Sequence, residues 1–411
     1  MADNNYVLLN KDVPVLNFTF AENPDIHTPL IKNINEVYNL HYAPFSIVAR
    51  CRDKTELSDL NNWWIQRGIS FYYRSRYIGT LRENLNYEQY YAVLRQNMGR
   101  GLTDHYWIKQ ENDSRRYDEV NFFDNAFSED LGNLFLTKDN YILKEEQMLT
   151  PDLTLTGHSF KTWKIGEGGE RLLYRIHHRN REIYNEFAAM AILDIFEIKH
   201  ADYSEASLGD NLFSVSKNFI TKDTENICLK TFDSGINYFE NGYLCEFLGK
   251  EKYAEFLQDV YKNFLIGYVV NNWEMEIGYL RNANTMEVRG VAPVCDFSGA
   301  FWIGYDYEEW MQEKVEPVFV KALPLYVEQA GLNINLFDEI VPAAMKIYAG
   351  CPYFESGELD YVIRNMQARV ENIRKAATKV VDAYTRENWA FEKMYAFVEK
   401  NWYEWLAGKK G

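Results

Sequence analysis

Apolar residues recur at two different periods along this chain. Up to about residue 148 the pattern is mixed: a short strand is predicted near Val13, helical spacing through Glu83 to Asn97, and a hairpin-like aromatic region, TDHYWIKQEND, at Thr103 to Asp113. From about Leu149 short alternating runs separated by glycine take over. FKTWKI, the turn Gly166 to Gly169, and RLLYRI predict an antiparallel hairpin, and NLFSVSKNFI at Asn211 to Ile220 predicts a further strand. Elsewhere the period lengthens. EIYNEFAAMAILDIF places Tyr184, Phe187, Ala188, Ala191, Ile192 and Ile195 on one helical stripe and Glu186 off it. Glu251 to Val270 forms one long apolar-faced helical run, and Glu308 to the end is helical by periodicity, with a stripe at Ile363, Met366, Val370 and Ile373. The aromatic tail (Trp389, Phe391, Tyr395, Phe397, Trp402, Trp405) reads as core or as a partner surface.

Composition narrows the function classes. With 411 residues, 47% of them hydrophobic, the chain has material for two cores. A net charge of -16, with no run of Lys or Arg, argues against direct contact with nucleic acid or an anionic membrane. Apolar runs such as FLIGYVV at Phe264 to Val270 are too short to span a bilayer. Cys51, Cys228, Cys245, Cys295 and Cys351 are widely spaced, with no CxxC pair and no secretory leader pattern, which fits a cytoplasmic protein. His177 and His178 are adjacent on a strand and so point to opposite faces, and no metal is expected there.

Several segments carry candidate chemistry in a fixed order. They are YVLLNKDVPVLNF at Tyr6 to Phe18, GLTDHYWIK at Gly101 to Lys109, TGHSFKTWKIGEGGERLLYR at Thr156 to Arg175, YNEFAAMAI at Tyr184 to Ile192, and VVNNWEMEIGYLRNANTMEVRGVAPVCDFSG at Val269 to Gly299. In that order they resemble the HipA-like kinases, in the longer bacterial form with an N-terminal extension, and the resemblance runs over most of residues 6 to 375. The resemblance implies an α+β, bilobed protein-kinase-like fold: an extension at 1–148, an antiparallel-sheet small lobe at 149–230, and a mainly helical large lobe at 231–411. The extension packs on the small lobe or is a plain structural addition.

The same resemblance implies an ATP and magnesium site. Gly157, Ser159 and Lys161 belong to the loop that covers the phosphates, and Arg175 stands where the family has the phosphate-binding Lys. Glu186 would pair with it; the plainer alternatives are a solvated strand arginine and a solvent-facing carboxylate. Arginine keeps the charge, but a planar fork does not replace a point ammonium freely. In the loop, Asn271 takes the place of the catalytic Asp, Glu276 that of the metal-binding Asn, and Asp296 keeps the metal-binding Asp after an apolar APVC strand. An amide accepts no proton, and general-base assistance is commonly worth about 100 to 10,000-fold. Glu274, Glu276 and Asp296 together could hold a metal, or the extra carboxylates could repel the triphosphate. The expectation is a nucleotide-binding pseudokinase serving as a regulatory or interaction module, with a protein partner or substrate that the sequence does not name. The alternative is an active atypical Ser/Thr kinase or nucleotidyl transferase with Glu274 or Glu276 as a relocated base.

Overall fold

The computed structural model describes residues 4–22, 30–48, 54–68, 87–137, 143–155, 161–177, 179–208, 211–228, 243–272, 278–297, 299–301, 310, 312–390, 393–394, 396–397 and 400–401. The chain forms two compact units. One comprises Met1–Ile176, Ala206–Ile236 and Tyr279–Arg289; the other comprises His177–Glu205, Asn237–Gly278 and Gly290–Gly411.

In the first unit, β1 (Asn5–Asn10) and β2 (Val13–Phe20) make a hairpin around Lys11, which accepts a left-handed φ of 49°. With β3 (Ile31–Val37) and β4 (Tyr106–Gln110) they form a sheet of order β3-β2-β1-β4. The strand expected near Val13 is therefore β2. The aromatic region is not a local hairpin: β4 pairs with β1, Tyr6 opposite Gln110. Burial on both faces explains the difference. Trp107 packs with Val7, Leu9, Met98 and Val120, while Tyr106 and Ile108 join the larger core, so long-range burial outweighs local pairing. That core also takes Trp64 from α1 (Leu57–Arg67) and Tyr90 and Leu94 from α2 (Tyr87–Gln96).

The expected glycine hairpin is present. β5 (Lys161–Ile165) and β6 (Arg171–Ile176) pair antiparallel, from Lys161 opposite Arg175 to Ile165 opposite Arg171. Gly166 N–H donates to the Glu170 carbonyl at 2.9 Å, and Gly169 supplies the φ of +83° that closes the turn. β7 (Tyr203–Leu208) and β8 (Asn211–Lys217) complete the order β5-β6-β8-β7. A third sheet has the order β11-β10-β9, from β9 (Thr224–Cys228), β10 (Gly278–Asn282) and β11 (Val288–Val291).

The second unit is helical. α3 (Arg181–Ile195) packs on α6 (Ile340–Tyr348), and α4 (Lys250–Val269) packs on α5 (Glu316–Ala330) through Tyr261 and Tyr326, whose ring centroids are 4.8 Å apart, and Tyr268 and Phe319, 5.1 Å apart. α7 (Glu358–Ala377) is fastened to α5 by Arg369, which donates to both Glu316 oxygens at 3.1 and 3.0 Å. Its buried face is Val362, Met366, Arg369, Val370, Ile373 and Ala376, so Val362 takes the place expected for Ile363. In the tail, Trp389 and Phe397 stack edge to face at 5.9 Å; Phe391, Tyr395, Trp402 and Trp405 lie outside the described residues. Among the described residues no helix is long and apolar enough to cross a membrane.

Candidate functional site

The loop that carries Asn271 begins as a helix end. Asn271 N–H donates to the Tyr268 carbonyl at 3.2 Å and Asn272 N–H to the Gly267 carbonyl at 2.8 Å, the paired bonds of a Schellman motif. Asn271 is the left-handed residue of that motif, with φ 54°. Asparagine is among the few side chains that accept this conformation readily. The residue at the expected base position therefore has a backbone duty: it stops α4. Replacing Asn271 by Gly is expected to leave stability within about 0.5 kcal/mol, whereas Asn271→Val costs about 1–2 kcal/mol. Urea unfolding of the two variants checks this, and equal stability would remove the helix-stop reading.

Asn271 is buried and lines a shallow recess, with room for no more than about one water, beside Val269, Phe301, Tyr361, Val362, Asn365, Met366 and Arg369. Sequence reasoning missed the residues from Phe301 onward. Helical spacing shows that Val362, Asn365, Met366 and Arg369 share one face of α7, but not that this face meets Asn271. Arg369 brings little free charge to the recess, since Glu316 pairs with it and its guanidinium lies 5.5 Å from the centroid of the Tyr268 ring.

Asp296 is brought to the same loop. The Asn272 side chain donates to the Asp296 carbonyl at 2.9 Å, and Asp296 N–H donates to the Tyr203 hydroxyl at 3.1 Å. Like Asn271, Asp296 is left-handed, with φ 68°, and its side chain is half-buried. The APVC segment before it is not a strand: Val294 makes only an isolated parallel bridge to His200, because its N–H and carbonyl bond Lys199 and Ala201 rather than a continuous ladder. Glu274 and Glu276 lie outside the described residues, as do Gly157 and Ser159.

Lys161 and Arg175 stand directly opposite on β5 and β6, so both project from one face of the sheet, and each is 5% exposed. Arg175 is therefore not the solvated strand residue that the plainer reading offered. The expected stripe is displaced: Tyr184, Phe187, Ala191 and Ile195 are half-buried, and α3 instead buries Arg181, Ile183, Asn185, Glu186, Ala188, Ala189, Ile192 and Leu193. The stripe counted only apolar residues, but polar ones on this helix are buried with partners. Asn185 donates to the Ala300 carbonyl at 2.7 Å and accepts from the Tyr348 hydroxyl at 3.1 Å; Arg181 pairs with Glu358. His177 lies with one ring nitrogen 3.8 Å from Glu186 and the other 3.7 Å from Glu182. Among the described residues no His, Cys, Asp and Glu side chains are grouped as a metal site.

No family model matches the sequence, and no curated protein matches it. Solved structures do match. HipA of Shewanella oneidensis, from a toxin–antitoxin complex with HipB and operator DNA, is 12% identical, with a TM-score of 0.52 over 92% of this chain and 100% of that one. The Helicobacter pylori proinflammatory kinase CtkA is 11% identical, with a TM-score of 0.40 over 56% of this chain and 95% of that one. The chain has a HipA-like, kinase-type α+β fold, as the order of its motifs implied.

Proposed function

We propose that this protein binds a nucleotide on the kinase-type fold, no longer transfers the γ-phosphoryl group at a useful rate, and acts as a regulatory or interaction module. The observation that carries this reading is Asn271: the position expected to hold the proton-accepting carboxylate holds a buried amide whose left-handed backbone ends α4. Lys161 and Arg175, opposite each other on β5 and β6, are the cationic side chains this reading assigns to the phosphates. Asp296, half-buried and beside Asn272, offers the hard oxygen that magnesium requires, and the ion would neutralise phosphate charge there. HipA was solved with a protein partner and operator DNA. For a chain of net charge -16, a protein is the partner we favour, with any nucleic acid reached through it.

Thermal unfolding with and without ATP and magnesium tests this. A ligand that binds only the folded state at 100 times its dissociation constant adds about 2.7 kcal/mol, so the melting temperature should rise. Asp296→Asn, which keeps a side chain that accepts the left-handed backbone there, should lose most of the magnesium-dependent part of that rise while the ligand-free melting point stays nearly unchanged. An unshifted parent protein would end the nucleotide reading, and prompt transfer of labelled γ-phosphate would end the pseudokinase reading.

A further inference from the structure

Ala300 and Phe301 share a peptide group that is held from both sides. The Asn185 side chain of α3 donates to the Ala300 carbonyl at 2.7 Å, and the Phe301 N–H donates to the carbonyl of Val270, at the end of α4, at 2.7 Å. A trans peptide points its carbonyl and its N–H in opposite directions, so bonds at both ends stop the plane from turning. The turn before it is closed by the Ala300 N–H, which donates to the Phe297 carbonyl at 2.9 Å. Asp296 stands immediately ahead of that turn.

Phe301 is left-handed, with φ 56°. A bulky aromatic residue holds this conformation only where its surroundings impose it. Turning the 300–301 peptide over would return Phe301 to negative φ and displace its ring, which lines the recess beside Asn271. What opposes this is a buried cluster of Asn185, Tyr348, Ala300 and Phe301. Tyr348 of α6 orients the amide: its hydroxyl donates to Asn185 Oδ1 at 3.1 Å, which leaves Nδ2 to face the Ala300 carbonyl, a group that can only accept. The Tyr348 ring also meets the Phe301 ring edge to face, with centroids 5.8 Å apart. At the other end of the segment, Asn272 and Tyr203 bond the carbonyl and the N–H of Asp296. Asn185 does for the Phe301 end what these two do for Asp296.

We propose that Asn185 is a positioning residue of the magnesium-nucleotide site: by clamping the 300–301 peptide it holds the strained turn after Asp296 against the end of α4, so that Asp296 keeps its place beside the loop that carries Asn271. The inference rests on the nucleotide reading above. Asn185 touches no ligand and acts through the Ala300 carbonyl. A group that orients a metal ligand from behind typically changes metal affinity by about 10 to 100-fold when it is lost. The part of nucleotide binding that does not need the metal does not depend on it.

The test compares the parent with Asn185→Leu, similar in size but without a donor, by calorimetric titration with ATP in magnesium and with ATP in EDTA. Affinity for magnesium-ATP should fall at least about tenfold in the variant, while affinity for metal-free ATP stays as in the parent. Amide hydrogen exchange without ligand gives a second readout. The Phe301 N–H should exchange faster in the variant, while amides in the middle of α4 keep the protection they have in the parent. Tyr348→Phe keeps the ring and loses only the donor to Asn185; it should shift both readouts in the same direction by less, and it decides the matter if Asn185→Leu does not fold. Magnesium-ATP affinity that is unchanged, or lost equally with and without the metal, overturns the positioning role and leaves nucleotide binding standing, as does unchanged exchange at Phe301. No ATP binding by the parent overturns the nucleotide reading, and this role with it.

Discussion

Replacing Glu225 by alanine is expected to cost about 3–5 kcal/mol, a large share of the stability of an ordinary domain. Glu225 and Arg281 have side chains 0% and 1% exposed and pair directly. Arg281 also donates to the Tyr106 hydroxyl and reaches the Ala43 carbonyl at 3.4 Å, while Asn10 donates to the second Glu225 oxygen at 3.2 Å. The network thus joins β9, β10, β1 and β4, and β10 begins at Gly278, directly after the segment that holds Glu274 and Glu276. Burial alone would lower the pKa of Arg281, but Tyr106 and Glu225 raise it above its ordinary value. Removing Glu225 leaves a guanidinium in the core with neutral partners only, and desolvation is no longer offset. Glu225→Leu with Arg281→Met should recover most of the loss, since an apolar pair of similar volume carries no such cost. Urea unfolding followed by circular dichroism measures both. A loss below about 1 kcal/mol in Glu225→Ala would mean that the charge of Arg281 finds water.

How much of this was legible in the sequence depended on the range of the interaction. The β5–β6 hairpin and the long helix α4 were legible because glycine turns and apolar spacing are local signals. The pairing of β4 with β1 was not, because it joins residues about a hundred positions apart through aromatic burial. The buried face of α3 is displaced from the apolar stripe for a related reason: hydrophobic stripes do not register polar side chains buried with partners, and α3 has three of those in Arg181, Asn185 and Glu186. Of the candidate site, the chemistry of Asn271 was readable from residue type. Its role in ending α4 needed the backbone angle and two hydrogen bonds, and the α7 face beside it needed the packing of two distant helices.

Restoring both exchanged residues, Asn271→Asp with Arg175→Lys, is expected to raise transfer of labelled γ-phosphate by about 100-fold or more, the lower range of general-base assistance. The backbone allows the first change, since aspartate, like asparagine, accepts the left-handed conformation that Asn271 holds with φ 54°. The recess allows it too: Arg369 is already paired with Glu316, so it does not capture the new carboxylate as its only partner. The second change returns a compact ammonium in place of a planar fork, with Lys161 still opposite on β5. Neither single change need suffice, because phosphoryl transfer requires the proton acceptor and the phosphate cation together. A double variant that folds, binds magnesium-ATP and still shows no gain over the parent would mean that Asn271 is not at the base position, or that a carboxylate at Glu276 blocks the metal arrangement the transfer needs.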